Sequence, residues 1–141
     1  MMTVRTEQEK LLLLTSIRLM ICVGHADGYM GEQEIARIYE MVNSRFTLRE
    51  RQILIDDFDE PKTPEQILSN MQAMTNTEKL TLLRQLYRIA LADNRLSSAE
   101  QKTIHRIAAL LGIGSDKLQQ VEDWMLEGLY WKERWKQIVG E

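Results

Sequence analysis

Cysteine, proline and charge of one sign are what this chain has least of. Its only cysteine, Cys22, cannot form a disulfide framework or a thiolate cluster for zinc, and its place in an apolar run makes it a buried, inert thiol. Two prolines, Pro61 and Pro64, leave long stretches without a helix breaker, and alternating β-branched runs are missing, which argues against a sheet. No stretch approaches the ~20 apolar residues that cross a bilayer, because Arg18, His25 and Asp27 interrupt the longest candidate. The opening MMTVRTEQEK is too polar for a secretory leader, so a cytoplasmic location is expected. With 18 basic and 21 acidic residues intermixed, the net charge of −3 gives no broad attraction to nucleic acid, which is not expected as a partner. Neither a glycine-rich phosphate loop nor a nucleophile motif is present, so no catalytic residue is assigned and an enzyme is not expected.

What is present is helical. A hydrophobic content of 44% over 141 residues suffices for a single domain, 1–141, with its own core. Leu13, Ile17, Met20, Ile21 and Gly24 share one helical face, as do Leu83, Leu86, Tyr87, Ala90 and Leu91. Capping signals divide the chain: Thr47 with Glu50, Thr63 before Pro64, Thr77 before Glu78, Ser97 with Glu100, Ser115 before Asp116, and Gly112 as a helix stop. Together these signals predict an all-α fold of about seven helices, near 5–26, 31–44, 48–58, 64–74, 78–93, 98–112 and 116–138.

A repeat emerges at an offset of 66: Ile17 with Leu83, Arg18 with Arg84, Asp27 with Asp93, Met30 with Leu96 and Glu34 with Glu100. Repeat units near 8–44 and 78–112 would form two helical hairpins related by an approximate two-fold axis, their turns close together.

Those turns hold the strongest functional signal. In HADGYMGEQE, residues 25–34, Asp27, Gly28, Tyr29, Met30 and Glu34 fit the second half of an EF-hand loop, while Val23 and His25 stand where the first ligands belong. In LADNRLSSAE, residues 91–100, Asp93, Leu96, Ser97 and Glu100 fit, with Asn94 in the glycine position. One half-loop supplies too few oxygens for calcium, but two juxtaposed turns would offer Asp27, Glu34, Asp93 and Glu100 together. Like charges ~6 Å apart repel by roughly 3 kcal/mol at an effective dielectric of about 20, so such a cluster calls for a divalent ion (calcium, magnesium, manganese or zinc) or for raised pKa values. Capping and turn formation explain the same residues without metal: Ser97 with Glu100 is a capping box, Gly31 with Glu34 a weaker one, and Gly28 and Asn94 suit left-handed turns. Both readings stand at this stage. The acidic run Asp56, Asp57, Asp59, Glu60 reads as a solvated helix end that could add ligands, and His25 as a partly buried turn residue.

Ala26, Asp27, Gly28, Met30 and Glu34, repeated as Ala92, Asp93, Leu96 and Glu100 before IHRIAALLGI, resemble the pattern of the TerB-like family of bacterial tellurite-resistance proteins. That family also includes the N-terminal region of a membrane-anchored DnaJ-type co-chaperone, and the resemblance spans roughly residues 8–125. It implies a compact fold of about seven helices, no catalysis, acidic residues that bind metal, and a place in stress-response protein complexes near the inner membrane. Asn94 departs from the second glycine of the pattern.

The C-terminal VEDWMLEGLYWKERWKQIVGE carries Val121, Trp124, Gly128, Trp131, Trp135 and Ile138 on one stripe. Packing of this helix on the core is the first expectation. The alternative is an exposed aromatic face, with Trp124, Trp131 and Trp135 meeting a protein partner, a second copy or the membrane surface. Three functions follow: a cation-binding module of stress-response assemblies, a metal-free co-chaperone-like adaptor using the tryptophan helix, or a small metal-dependent hydrolase using the same carboxylates.

Overall fold

The computed structural model describes residues 2–28, 30–42, 46–69, 71 and 73–140, with side chains from residue 7 onward. Among them are seven helices and no strand: α1 (Met2–Gly24), α2 (Glu32–Met41), α3 (Leu48–Asp59), α4 (Pro64–Leu68), α5 (Asn76–Ala90), α6 (Ser98–Leu110) and α7 (Ser115–Val139). The all-α expectation holds.

Helix starts follow their caps. Thr47, Thr63, Thr75 and Ser97 each accept a hydrogen bond from the backbone N–H three residues on, and the Glu or Gln there reaches back to the cap. Two expected caps move: α5 opens at Thr75 rather than Thr77, because Glu78 completes a box only with Thr75. Ser115 is the first helical residue of α7, with Gly114 as its cap. α4 stops at Leu68, well short of 74; residues 70 and 72 of that expected helix, and 43 and 44 of the expected second helix, lie outside the described residues. At the end of α6 the Gly112 and Ile113 N–H groups bond back to Ala109 and Ala108 carbonyls, the pattern that terminates a helix with a left-handed residue.

α1 and α5 pack together at the centre; α2, α3, α4 and α6 surround α1, and α2, α6 and α7 flank α5. Centrality explains why the C-terminal half of α1 buries more than one face: Leu19 and Val23, off the face read from the sequence, are as buried as Ile17, Met20 and Ile21. On α5, Leu82 and Ile89 join Leu83, Leu86, Tyr87 and Ala90 in the core. Cys22 is partly buried, and burial pushes its thiol up to about 11, as an inert thiol should be. No described helix is long and apolar enough to cross a membrane.

Two buried carboxylates fasten the outer helices. Asp57 on α3, 2% exposed, accepts two hydrogen bonds from the Arg18 guanidinium at 2.7 and 3.3 Å. This corrects the reading of the Asp56–Glu60 run as a solvated helix end: α3 turns Asp57 inward. Glu122 on α7 accepts from Tyr87 Oη at 2.8 Å and Gln101 Nε2 at 3.0 Å, and His105 Nε2 lies 2.9 Å away. Burial works against its charge, but His105, Tyr87 and Gln101 outweigh it and hold the Glu122 pKa below the usual carboxylate range. Only the N-terminal part of α7, through Leu118, Val121, Glu122 and Met125, packs on the core.

Candidate functional site at the paired turns

The two turns repeat one backbone geometry 66 residues apart. His25, Ala26 and Gly28 N–H groups donate to Ile21, Val23 and His25 carbonyls; Leu91, Ala92 and Asn94 donate to Tyr87, Ile89 and Leu91. Gly28 has φ +95° and Asn94 φ +68°, so both positions need a residue that tolerates left-handed backbone. Met30 then folds back over Gly24, where an added Cβ would sit 2.5 Å from Met30 Cε. Val23, at the first ligand position of the half-loop, is fully buried in α1, so that half of a calcium loop is absent for a structural reason.

The turns meet. Ser97 Oγ, in the second, donates to Asp27 Oδ1, in the first, at 3.0 Å. Glu34 and Glu100, each the third residue of its helix, cap the backbone N–H groups of Gly31 (2.9 Å) and Ser97 (3.2 Å) and also bring their carboxyl groups into hydrogen-bond contact with each other. Two carboxylates so placed repel unless a proton or a cation lies between them. Burial, reinforced by the Glu34 carboxyl, pushes Glu100 up to about 7. Burial raises Glu34 as well, with the charges of Asp93 and Asp27 adding to it. Asp93 accepts from the Arg95 N–H at 3.4 Å, with the Arg95 guanidinium 3.9 Å from its other oxygen.

Whether these residues suit a cation depends on donor chemistry and on placement. The chemistry is that of a hard divalent ion: four carboxylates and no thiolate. The placement is a pair rather than a cage, because no group of three or more His, Cys, Asp or Glu among the described residues is arranged to hold a metal. Asp27 is engaged by Ser97 and Asp93 by Arg95. Tyr29, the backbone-carbonyl position of the half-loop, lies outside the described residues. His25 is partly buried; burial lowers its pKa, and its Nε2 has no hydrogen-bond partner among the described residues.

The tryptophans are not where the first expectation put them. Trp124, Trp131 and Trp135 are 56%, 73% and 63% exposed. Of the stripe read from the sequence only Val121 packs on the core, since α7 outruns the helices beneath it and meets them through Val121, Glu122 and Met125. Sequence reasoning also missed Glu122 as the buried fastener of α7; the only signal was an acidic residue beside the apolar stripe.

An all-helical module in which two acidic turns are pressed together is the class that fold and geometry define. Residues 13–123 match the family described as tellurite resistance protein TerB, and the chain belongs to that family. No curated protein and no solved structure matches it significantly.

Proposed function

We propose that this chain is a non-enzymatic TerB module that takes up a divalent cation at its paired turns, in exchange for the proton between Glu34 and Glu100, and serves protein assembly in a bacterial stress response. The observation that supports this is the contact between those two carboxyl groups across the turns. A shared proton and a hard cation answer the same electrostatic need, and a cation gains as pH rises and the proton leaves. Glu34 and Glu100 would hold the ion, with Asp27 and Asp93 released from Ser97 and Arg95 to join them. The ion would supply positive charge that locks the two hairpins together. A cytoplasmic setting with protein partners, without nucleic acid, fits the balanced charge.

The test is an amide NMR titration of chelator-treated protein with calcium, magnesium, manganese and zinc. Saturable changes at both turns, weaker at pH 5.5 than at pH 8 and lost in Asp27→Asn and Glu34→Gln, are expected. An absence of change at millimolar ion would remove the cation reading. A second reading, a metal-free adaptor, is favoured by the exposure of Trp124, Trp131 and Trp135. It would bind a protein, a second copy or the inner-membrane surface through α7 with or without chelator, and would lose that binding in Trp131→Ala/Trp135→Ala.

A further inference from the structure

A cavity of about 490 Å³ lies between α5 and α7, with Arg37 of α2 at its wall, within the size range of small-molecule sites. Its cations come from three helices: Arg37 on α2, Arg84 and Arg88 on α5, and Lys132 on α7, against one carboxylate, Glu127. On a chain of net charge −3 this is a local reversal of sign. None of the four, all exposed, forms an ion pair or a side-chain hydrogen bond among the described residues, so what sets them apart is that three helices gather them around one cavity. Unpaired like charges in one cavity repel, so an arrangement that gathers them favours an anion.

Aromatic surface stands beside this charge. Trp124 and Trp131 line the cavity and remain more than half exposed, and the Arg84 guanidinium lies 5.4 Å from the Trp124 ring centroid. Gly128, also in the lining, sits in the interior of a 25-residue helix, where glycine costs about 1 kcal/mol relative to alanine. No atom lies within 4 Å of where its Cβ would be, so packing within the chain does not call for glycine there. What its missing side chain provides is room in the cavity.

We propose that this cavity is a binding site for a nucleoside di- or triphosphate. Guanidinium groups match phosphate oxygens bidentately, the planar tryptophan faces suit a base, and several cations against one carboxylate call for more negative charge than a single carboxylate ligand carries. Leu91, Ala92 and Met125 supply the apolar part of the lining. The lining takes Leu91, Ala92 and Asn94 from the second turn but none of the four turn carboxylates, so binding measured in chelator tests this site apart from the cation reading.

The experiment is calorimetric titration of the full chain, in chelator, with ADP and ATP, and with pyrophosphate and adenosine as half-ligands. ADP and ATP are expected to saturate one site, with each half-ligand at least about tenfold weaker because it engages only the cations or only the rings. Arg84→Gln/Arg88→Gln should weaken ADP by at least about tenfold. Gly128→Leu should fill the cavity and abolish binding while the helical circular dichroism and melting temperature are kept. Asp27→Asn should leave binding unchanged. The proposal is overturned by the absence of saturable ADP or ATP binding, by binding that survives both Arg84→Gln/Arg88→Gln and Gly128→Leu, or by an acidic tryptophan-containing peptide binding where the nucleotides do not.

Discussion

Arg18 and Arg84 stand 66 residues apart, one on each of the two central helices, and they have opposite fates. Arg18 closes a bidentate ion pair with buried Asp57. Arg84 stays exposed, with Trp124 beneath it and no carboxylate partner among the described residues. The difference lies in what the following helices bring: α3 delivers an acid to the first arginine, α7 an aromatic ring to the second. Of two arginines at matching places on the central helices, one is structural and the other is left exposed beside the cavity. The turns show the same divergence more mildly, since they share backbone geometry while glycine occupies the left-handed position in one and asparagine in the other.

The largest test of that comparison is Asp57→Ala. It leaves Arg18 without its buried partner and should reduce stability by about 3–5 kcal/mol in urea denaturation. Arg84→Ala removes only an exposed cation–π contact, worth about 0.5–1 kcal/mol. Equal losses would break the distinction. Next comes the contact between the turns. Glu100 has an ordinary value of 4.5 and is held at about 7 in the fold, so the native chain keeps a proton that the unfolded chain releases. The stability this contributes is full below pH 4.5 and is lost as pH rises toward 7. The urea midpoint of the wild type should therefore fall between about pH 5 and pH 8 relative to that of Glu100→Gln. His25, whose pKa burial lowers, acts in the opposite direction but is common to both proteins, while Glu34 is raised in contact with Glu100, so the difference reports the Glu34–Glu100 pair. A parallel pH dependence would mean that no proton is held there.

Smaller still are the turn substitutions. Gly28→Ala forces a side chain into φ +95° and should cost about 1–2 kcal/mol by thermal melting. Asn94→Gly removes the side chain from a conformation that asparagine already tolerates and should change stability by less than about 0.5 kcal/mol. If the second exceeded the first, the asparagine would be holding its turn by more than backbone tolerance.

Much of the fold was legible because helices announce themselves locally. Helix caps fell where Thr47, Thr63 and Ser97 predicted, since a cap satisfies N–H groups only three residues away. The cap of α5 was misplaced by two residues because Thr75 and Thr77 look alike until Glu78 chooses one by its reach. Offset 66 was visible as side-chain spacing, and the turns reproduce it as matching hydrogen bonds. The direct contacts between the turns, Ser97 with Asp27 and Glu34 with Glu100, needed the second hairpin to be placed against the first. Asp57 and Glu122 could not be read as buried, because their partners lie between 17 and 39 residues away.

By itself the sequence determined the helical class, the caps and the shape of each acidic turn, since all of these depend on neighbours within about four residues. The tertiary structure decided which charges are spent inside and which are left available. It paired Arg18 with Asp57, buried Glu122 under α7, pressed Glu34 against Glu100, and left Arg84 and the tryptophans open around a cavity. Charge and aromatic surface have no fixed role along a chain, because desolvation and partner distance set their energy, and both exist only once the helices have packed.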